Sequence, residues 1–273
     1  LKSKGIKKIL VVATAATSAY GSVDNISEIN EILEACQLSS YLHIDASFGG
    51  FTIPFCKDAP RIGFENSKVM SMALDGDKMG MLPYPSGVFL CRKKLQDHIQ
   101  RSVAYIKGNC DNTVSGSRSG LAACCAWKYW LRPSLEDAKK KHEIFVSEAL
   151  FYRDKLVDLL EEANFPEVTV YPCSPFVNLL PLGIKRRKND GSFRELTEEE
   201  KDSEPLAPYH LRSDKITIDG TSLLIYKLCI MPQTYPFIGQ FVEDIRKILN
   251  NEVGDAPKET TAHEAPLNET CYT

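Results

Sequence analysis

Lys78 sits inside the stretch Asp75-Gly76-Asp77-Lys78-Met79-Gly80-Met81-Leu82, directly after the apolar segment Ser71-Met72-Ala73-Leu74. About thirty residues upstream, Asp45 ends another apolar segment in His43-Ile44-Asp45-Ala46-Ser47-Phe48-Gly49-Gly50. A lysine amine desolvated beside a Gly/Pro-rich loop (Gly80, Pro83, Pro85, Gly87) becomes a nucleophile able to form a Schiff base. An unpaired carboxylate at the end of an apolar strand is expensive and calls for a cationic partner. A protonated pyridine nitrogen is one such partner, so the pair has the chemistry a pyridoxal phosphate enzyme requires. Each residue also has a plainer reading. Asp45 could cap the turn before Gly49-Gly50, and Lys78 is one of 33 basic residues. His43 shares a side of the strand with Asp45 by the period of two, and a hydrogen-bonded core histidine is its plain reading. The linked order of strand-ending Asp, second strand with Ser71, then Lys is what raises Lys78 above the rest.

Two further groups could bind anions. Ser115-Gly116-Ser117-Arg118-Ser119-Gly120 opens a helix, where backbone N–H groups, hydroxyls and a cation suit a phosphate or carboxylate, or where a serine simply caps the helix. Arg212 could pair a substrate carboxylate or stand solvated in a loop. The nine cysteines form no C-x-x-C pair, and the five histidines do not cluster, so no metal site is expected. Reduced thiols in a cytoplasmic protein are the expected state.

These residues need strands and helices to hold them. Ile6 to Thr14 reads as a buried strand, and Asn25 with Glu28 as a capping box opening a helix whose apolar face is Ile26, Ile29, Ile32, Leu33 and Cys36. Tyr41 to Ala46 is the next strand, completing a strand-helix-strand unit and implying a parallel sheet with a right-handed crossover. Lys68 to Leu74 and Gly87 to Cys91 flank the Lys78 loop as two more strands. A helix rich in small residues, Ser119 to Leu131, should pack closely against a neighbour. Ser134 with Asp137 caps a long helix to about Ala163. Beyond Pro166 come short strands (Val168–Tyr171, Phe176–Leu182, Leu224–Met231) and a last helix, Ile238 to Leu249.

The fold class is therefore α/β, divided as residues 1–133 for the larger part, then 134–249 for a long linking helix with a small α+β domain. Residues 183–215 read as a charged, solvated insertion, and 250–273 as a disordered tail. A net charge of −3 and no apolar run of transmembrane length give no sign of a nucleic-acid or membrane partner. The chain begins without Met and enters almost at once into a strand, which reads as a piece of a longer protein.

Five segments carry a resemblance: Thr14–Asp24 (TAATSAYGSVD), His43–Phe55 (HIDASFGGFTIPF), Ser71–Gly87 (SMALDGDKMGMLPYPSG), Val114–Gly120 (VSGSRSG) and Cys229–Ile245 (CIMPQTYPFIGQFVEDI). In their order and content the chain resembles the group II pyridoxal-dependent amino-acid decarboxylases, nearest the archaeal tyrosine/aspartate decarboxylases and sphingosine-phosphate lyases. The resemblance implies the type I pyridoxal-phosphate enzyme fold, N-terminally truncated, plus the small C-terminal domain. It implies pyridoxal 5'-phosphate held as an aldimine on Lys78, with Asp45 on the pyridine nitrogen and Ser47 in a position usually occupied by Ala beneath the ring. It also places His43, Thr17 and Ser18 around the cofactor, and Ser115 and Ser117 in a loop that reaches phosphate, often the neighbouring subunit's. A homodimer with sites at its interface would follow, and the reaction would be loss of carbon dioxide from an L-amino acid. The alternatives are carbon–carbon aldehyde lysis of the sphingosine-phosphate type, or a non-catalytic homologue acting as a binding or regulatory subunit. Three departures stand out. Asp77 replaces a His that usually helps hold phosphate, Gly76 replaces a frequent Pro, and the family's upstream segment with its phosphate loop and ring-stacking His is not present in this sequence.

Overall fold

The computed structural model describes residues 5–250, apart from 37, 94, 106, 109, 112–119, 189 and 219. The Ser115–Ser117 loop and the tail beyond 250 lie outside the described residues. The first sheet contains β1 (Lys8–Thr14), β2 (Ser39–Asp45), β3 (Val69–Asp75) and β4 (Gly87–Cys91), in that spatial order. β1, β2 and β3 run parallel and β4 returns antiparallel. Helix α1 (Ile26–Ala35) links β1 to β2. Its cap is the expected one: Asn25 accepts the Glu28 N–H at 3.2 Å and its amide donates to the Glu28 carboxylate at 3.0 Å.

Register sorts the side chains of this sheet. Val12, His43 and Ser71 lie side by side, as do Thr14, Asp45 and Ala73, so Asp45 and His43 share one face. The opposite face carries Ala13, Leu42, Ile44 and Met72 into a core with Ile26, Leu33 and Ile53. Gly49 and Gly50 let the chain leave β2 against this core. A Cβ on Gly49 would stand 2.4 Å from the Ala15 carbonyl oxygen, and one on Gly50 would stand 2.6 Å from a Leu74 methyl.

A two-residue ladder, β5 (Arg101–Ser102) with β6 (Cys110–Asp111), precedes α2 (Leu121–Ala126), which continues as a π-turn over Trp127–Leu131. None of Leu121–Ala126 is buried, and the packing expected of this helix is met only at its far end, where Trp130 lies against Phe51, Phe55 and His142. The long helix α3 (Leu135–Ala163) begins where Ser134 accepts the Asp137 N–H at 3.1 Å and ends at Asn164 in the left-handed region.

His142 ties α3 to the first sheet's layer. Its side chain is fully buried, Nε2 donates to the Phe51 carbonyl at 2.9 Å, and Nδ1 lies 3.3 Å from the Tyr129 hydroxyl. Phe55 and Trp130 pack against the ring at 4.4 and 4.7 Å between centroids. Burial holds its pKa below the ordinary histidine value, against the Phe51 carbonyl, which raises it. With the folded pKa below the unfolded one, the neutral ring's contribution to stability is complete above about pH 6.5 and is lost as pH falls through the folded value. Urea midpoints taken from about pH 7.5 to about pH 5 should therefore fall for the wild type. His142→Gln, which keeps a donor toward Phe51, should flatten that slope; an unchanged slope would remove His142 from the acid response.

The second sheet contains β7 (Val168–Val170), β8 (Leu179–Arg187), β10 (Arg212–Ile218) and β11 (Thr221–Cys229) in the order β10-β11-β8-β7, with β9 (Phe193–Glu195) paired to β8. It packs on α3 and on α5 (Ile238–Leu249) around Leu156, Leu160, Leu182, Tyr226, Phe241 and Ile245. The solvated loop expected over 183–215 is instead ordered. β8 runs on to Arg187, α4 (Glu198–Asp202) carries a Thr197–Glu200 capping box, and β10 begins at Arg212. The basic run Lys185 to Lys188 and the acidic run Glu195 to Glu204 meet at Glu200. Glu200 takes a two-pronged contact from Arg194, both arms at 2.6 Å, and a third from Arg186 at 2.7 Å. The Arg194 fork, ahead of the capping contact and Arg186, holds the Glu200 carboxyl down at about 2. Among the described residues no helix is long and apolar enough to cross a membrane.

Candidate active site

The carboxyl ends of β2 and β3 meet at Asp45 and at the loop from Asp75 to Ser86. Asp45 Oδ1 accepts both the Ser47 hydroxyl at 2.6 Å and the Ser47 N–H at 3.1 Å. The Ser47 hydroxyl lowers the Asp45 pKa most, against desolvation, and the Ser47 N–H, His43 and Lys78 lower it further. Asp45 is thus an ionised carboxylate, and among the described residues it forms no ion pair of its own. Its neighbour His43 belongs to a hydrogen-bonded row across the same face. Tyr41 donates to Ser71 Oγ at 2.9 Å, which leaves the Ser71 proton for His43 Nδ1 at 2.7 Å. The His43 ring stacks on Phe89, with centroids 6.2 Å apart.

Lys78 reaches into a cleft of about 910 Å³ between the two sheets. Its ammonium is 3.0 Å from the Asp75 carboxylate, one helical turn back in sequence, and 5.9 Å from the centre of the Phe48 ring. The loop holding it closes on itself. Gly76 N–H donates to the Ser86 carbonyl at 2.8 Å and Leu82 N–H to the Gly76 carbonyl at 3.0 Å. A Cβ on Gly76 would lie 2.9 Å from the Ser86 carbonyl oxygen, and one on Gly80 would lie 2.6 Å from the Gly76 carbonyl oxygen. Proline at 76 would both lack the N–H and crowd Ser86, which accounts for glycine there. Asp77 accepts a long hydrogen bond from the buried Ser86 hydroxyl at 3.4 Å, and it is not part of the cleft wall that Lys78 joins. Its carboxylate serves the loop's own closure.

Ser18 lines the cleft with Lys78, whereas Thr17 does not. The Thr17 hydroxyl accepts the Ser22 N–H at 3.1 Å and closes the turn after β1. Asp45, Ser47 and His43 are not among the residues lining the cleft, though the Lys78 charge lowers the Asp45 pKa.

Of the far wall of the cleft, sequence reasoning named only Arg212 as a possible carboxylate partner; Leu179, Lys227 and Cys229 of the second sheet, and Met231 just beyond β11, were not assigned to the site. Desolvation raises the Cys229 thiol pKa and the Lys78 charge opposes the rise, so the two groups are near neighbours. Buried Asn178 sews this wall to the lysine loop. Its amide donates to the Ile230 carbonyl at 2.7 Å and lies 3.1 Å from the Met79 sulfur. Asp75 was within the Lys78 motif, but its role shows only once the 3.0 Å contact is seen.

Comparison with known proteins follows from this geometry. Residues 1–145 match the "Pyridoxal-dependent decarboxylase conserved domain". A tryptophan decarboxylase of Clostridium sporogenes is 41% identical over 87 residues, which are 32% of this chain and 21% of that protein. A probable L-tyrosine/L-aspartate decarboxylase of Methanothermobacter thermautotrophicus is 33% identical over 124 residues, 44% of this chain and 34% of that one. Among solved structures, a glutamate decarboxylase of Lactobacillus brevis superposes with a TM-score of 0.72 at 16% identity. That alignment covers 90% of this chain and 56% of the enzyme, so the chain spans about half the length of this neighbour.

Proposed function

We propose that this chain, which belongs to the pyridoxal-dependent decarboxylase family, supplies the lysine side of a pyridoxal phosphate site in an enzyme that decarboxylates an L-amino acid to its amine. One observation carries the reading: a carboxylate without an ion pair among the described residues, Asp45, and a cleft-lining amine, Lys78, stand at and just beyond the ends of adjacent strands, and the Lys78 charge lowers the Asp45 pKa. The pair has the chemistry that the two ends of a pyridoxal ring call for. Among the described residues Asp45 bonds Ser47 through Oδ1 alone, so Oδ2 would take the ring N–H and Lys78 the aldehyde carbon.

When bound, pyridoxal phosphate supplies a carbonyl for amines and a ring that takes up the electron pair left by departing carbon dioxide. Asp45, whose pKa the Ser47 hydroxyl holds down, would hold the ring nitrogen in its protonated form, the condition for that uptake. Asp75, at 3.0 Å, is placed to take the proton that Lys78 Nζ must lose before it attacks, and to return it. Phe48, Leu179 and Met231 give the same cleft an apolar lining. With the cofactor and substrate bound, Lys78 Nζ would be one cleft group able to hold a proton for the substrate's Cα.

A cytoplasmic homodimer belongs to the same proposal. It is supported by the family resemblance and by free thiols at all eight described cysteines. The test of the reading is direct. Adding pyridoxal phosphate to the full chain should raise a visible absorption band that borohydride bleaches, leaving the reduced adduct on the peptide containing Lys78. A band that stays unbleached, or an adduct mapped to another lysine, would overturn it.

A further inference from the structure

Arg212, an exposed residue, is the first of β10 and lines the Lys78 cleft, so it stands in a strand and not in the loop that its charged surroundings suggested. The other lysines of this cleft all have acids. Lys78 holds Asp75 at 3.0 Å, Lys227 holds Asp214, and Lys247 holds Asp244 at 2.8 Å. Arg212 forms no ion pair among the described residues. Arg212 pairs across the strands with Lys227, two residues before Cys229, and Arg212, Cys229 and Lys78 line the one cleft. Two residues along a strand and one strand across put the Arg212 and Cys229 backbones roughly 8 Å apart, a gap that an arginine side chain largely spans.

We infer that Arg212 is a specificity-determining residue that takes a carboxylate on the substrate's side chain, so that the cleft selects acidic L-amino acids. This rests on Lys78 being the reactive amine. The α-carboxylate is a poor partner for Arg212, because it loses its charge as carbon dioxide leaves. A cation held against it would stabilise the ground state more than the transition state. A side-chain carboxylate keeps its charge throughout, so a planar two-pronged contact with it costs nothing at the chemical step. Glu204 also lines the cleft without an ion pair among the described residues, and would favour an ammonium side chain instead. It stands beside Pro205, outside any helix or strand, whereas Arg212 is fixed in a strand ladder, the better platform for selection.

The discriminating experiment is calorimetric titration of the full chain with glutarate, neutral glutaramide and cadaverine, on the wild type and on Arg212→Gln, Arg212→Lys, Glu204→Gln and Lys78→Ala. Glutarate should bind in preference to the other two, and Arg212→Gln should weaken it by about tenfold or more. Arg212→Lys should recover only part of the loss, because it lacks the fork. The Arg212-dependent part of glutarate binding should survive in Lys78→Ala. That separates this inference from the cofactor reading, whose own failure shows as no borohydride-fixed adduct on Lys78. Glutarate binding unchanged by Arg212→Gln overturns the inference. So does a preference for cadaverine that Glu204→Gln abolishes.

Discussion

Replacing Lys78 with alanine is expected to abolish both the visible band with pyridoxal phosphate and the borohydride-fixed adduct. In the assembled enzyme it should lower turnover by a factor on the order of 10⁴ to 10⁶, the scale reached when a nucleophile on which other groups depend is removed. The loss would not come from unfolding. The Lys78 side chain is 38% exposed and its Asp75 partner 36%, and an ion pair so open to water contributes at most about 1 kcal/mol. The loop around it is closed by backbone contacts of Gly76, Leu82 and Ser86 that do not involve the lysine side chain. Lys78→Arg sharpens the test, since it retains a cation for Asp75 but never releases a proton to become a nucleophile. Both variants should keep the wild-type melting temperature while losing the adduct. A band of undiminished intensity in Lys78→Ala would assign the amine elsewhere.

The strand positions of the first sheet were readable because their signals are local, but β1, expected to be buried, leaves Leu10 and Val12 exposed. β-branched runs, the Asn25–Glu28 cap and the Gly49-Gly50 exit each act within a few residues, and they fix the strand ends where Asp45 and Lys78 stand. The Lys78 loop was readable in its place and its Gly/Pro content, whereas the close backbone approaches at Gly76 and Gly80 show only in the structure. The span 183–215 was not. Its composition reads as solvated charge, and only the fold brings Arg186 and Arg194 onto Glu200 to turn opposite blocks into an ordered corner. The cleft's second wall was legible only in part. Arg212 could be named as a carboxylate partner from its type, but Arg212, Cys229 and Met231 lie more than a hundred residues from Lys78 in the sequence, and no spacing rule places them beside it. Asp77 is the instructive middle case. Its type suggested a charge opposed to phosphate, yet a side chain's type does not give its direction, and here the carboxylate turns to Ser86.

Asp45→Asn should separate the two services that the carboxylate performs. The amide is nearly the same shape, and its oxygen can still accept the Ser47 hydroxyl and N–H that Asp45 Oδ1 accepts at 2.6 and 3.1 Å. The strand end and the turn before Gly49 should therefore persist, with little change in melting temperature. What disappears is the charge, and what replaces the open oxygen is an NH₂ group. Against a protonated ring nitrogen this sets donor against donor, so the ring is driven to its neutral form and accepts electrons poorly. Turnover should fall by a factor on the order of 10² to 10³, comparable with removing one preorganised electrostatic contact at a reacting centre. The adduct on Lys78 should still form, because the aldehyde end is untouched. Ser47→Ala is the complementary variant. The Ser47 hydroxyl is the largest influence holding the Asp45 pKa down, so without it the carboxylate's pKa should move up. The contribution of the ionised form is present above that pKa and lost as pH falls through it. The acid limb of the pH–rate profile should accordingly shift to higher pH in Ser47→Ala and be absent from Asp45→Asn. Turnover in Asp45→Asn within about threefold of wild type would detach Asp45 from the ring nitrogen, since so small a change is less than one lost charge-assisted hydrogen bond.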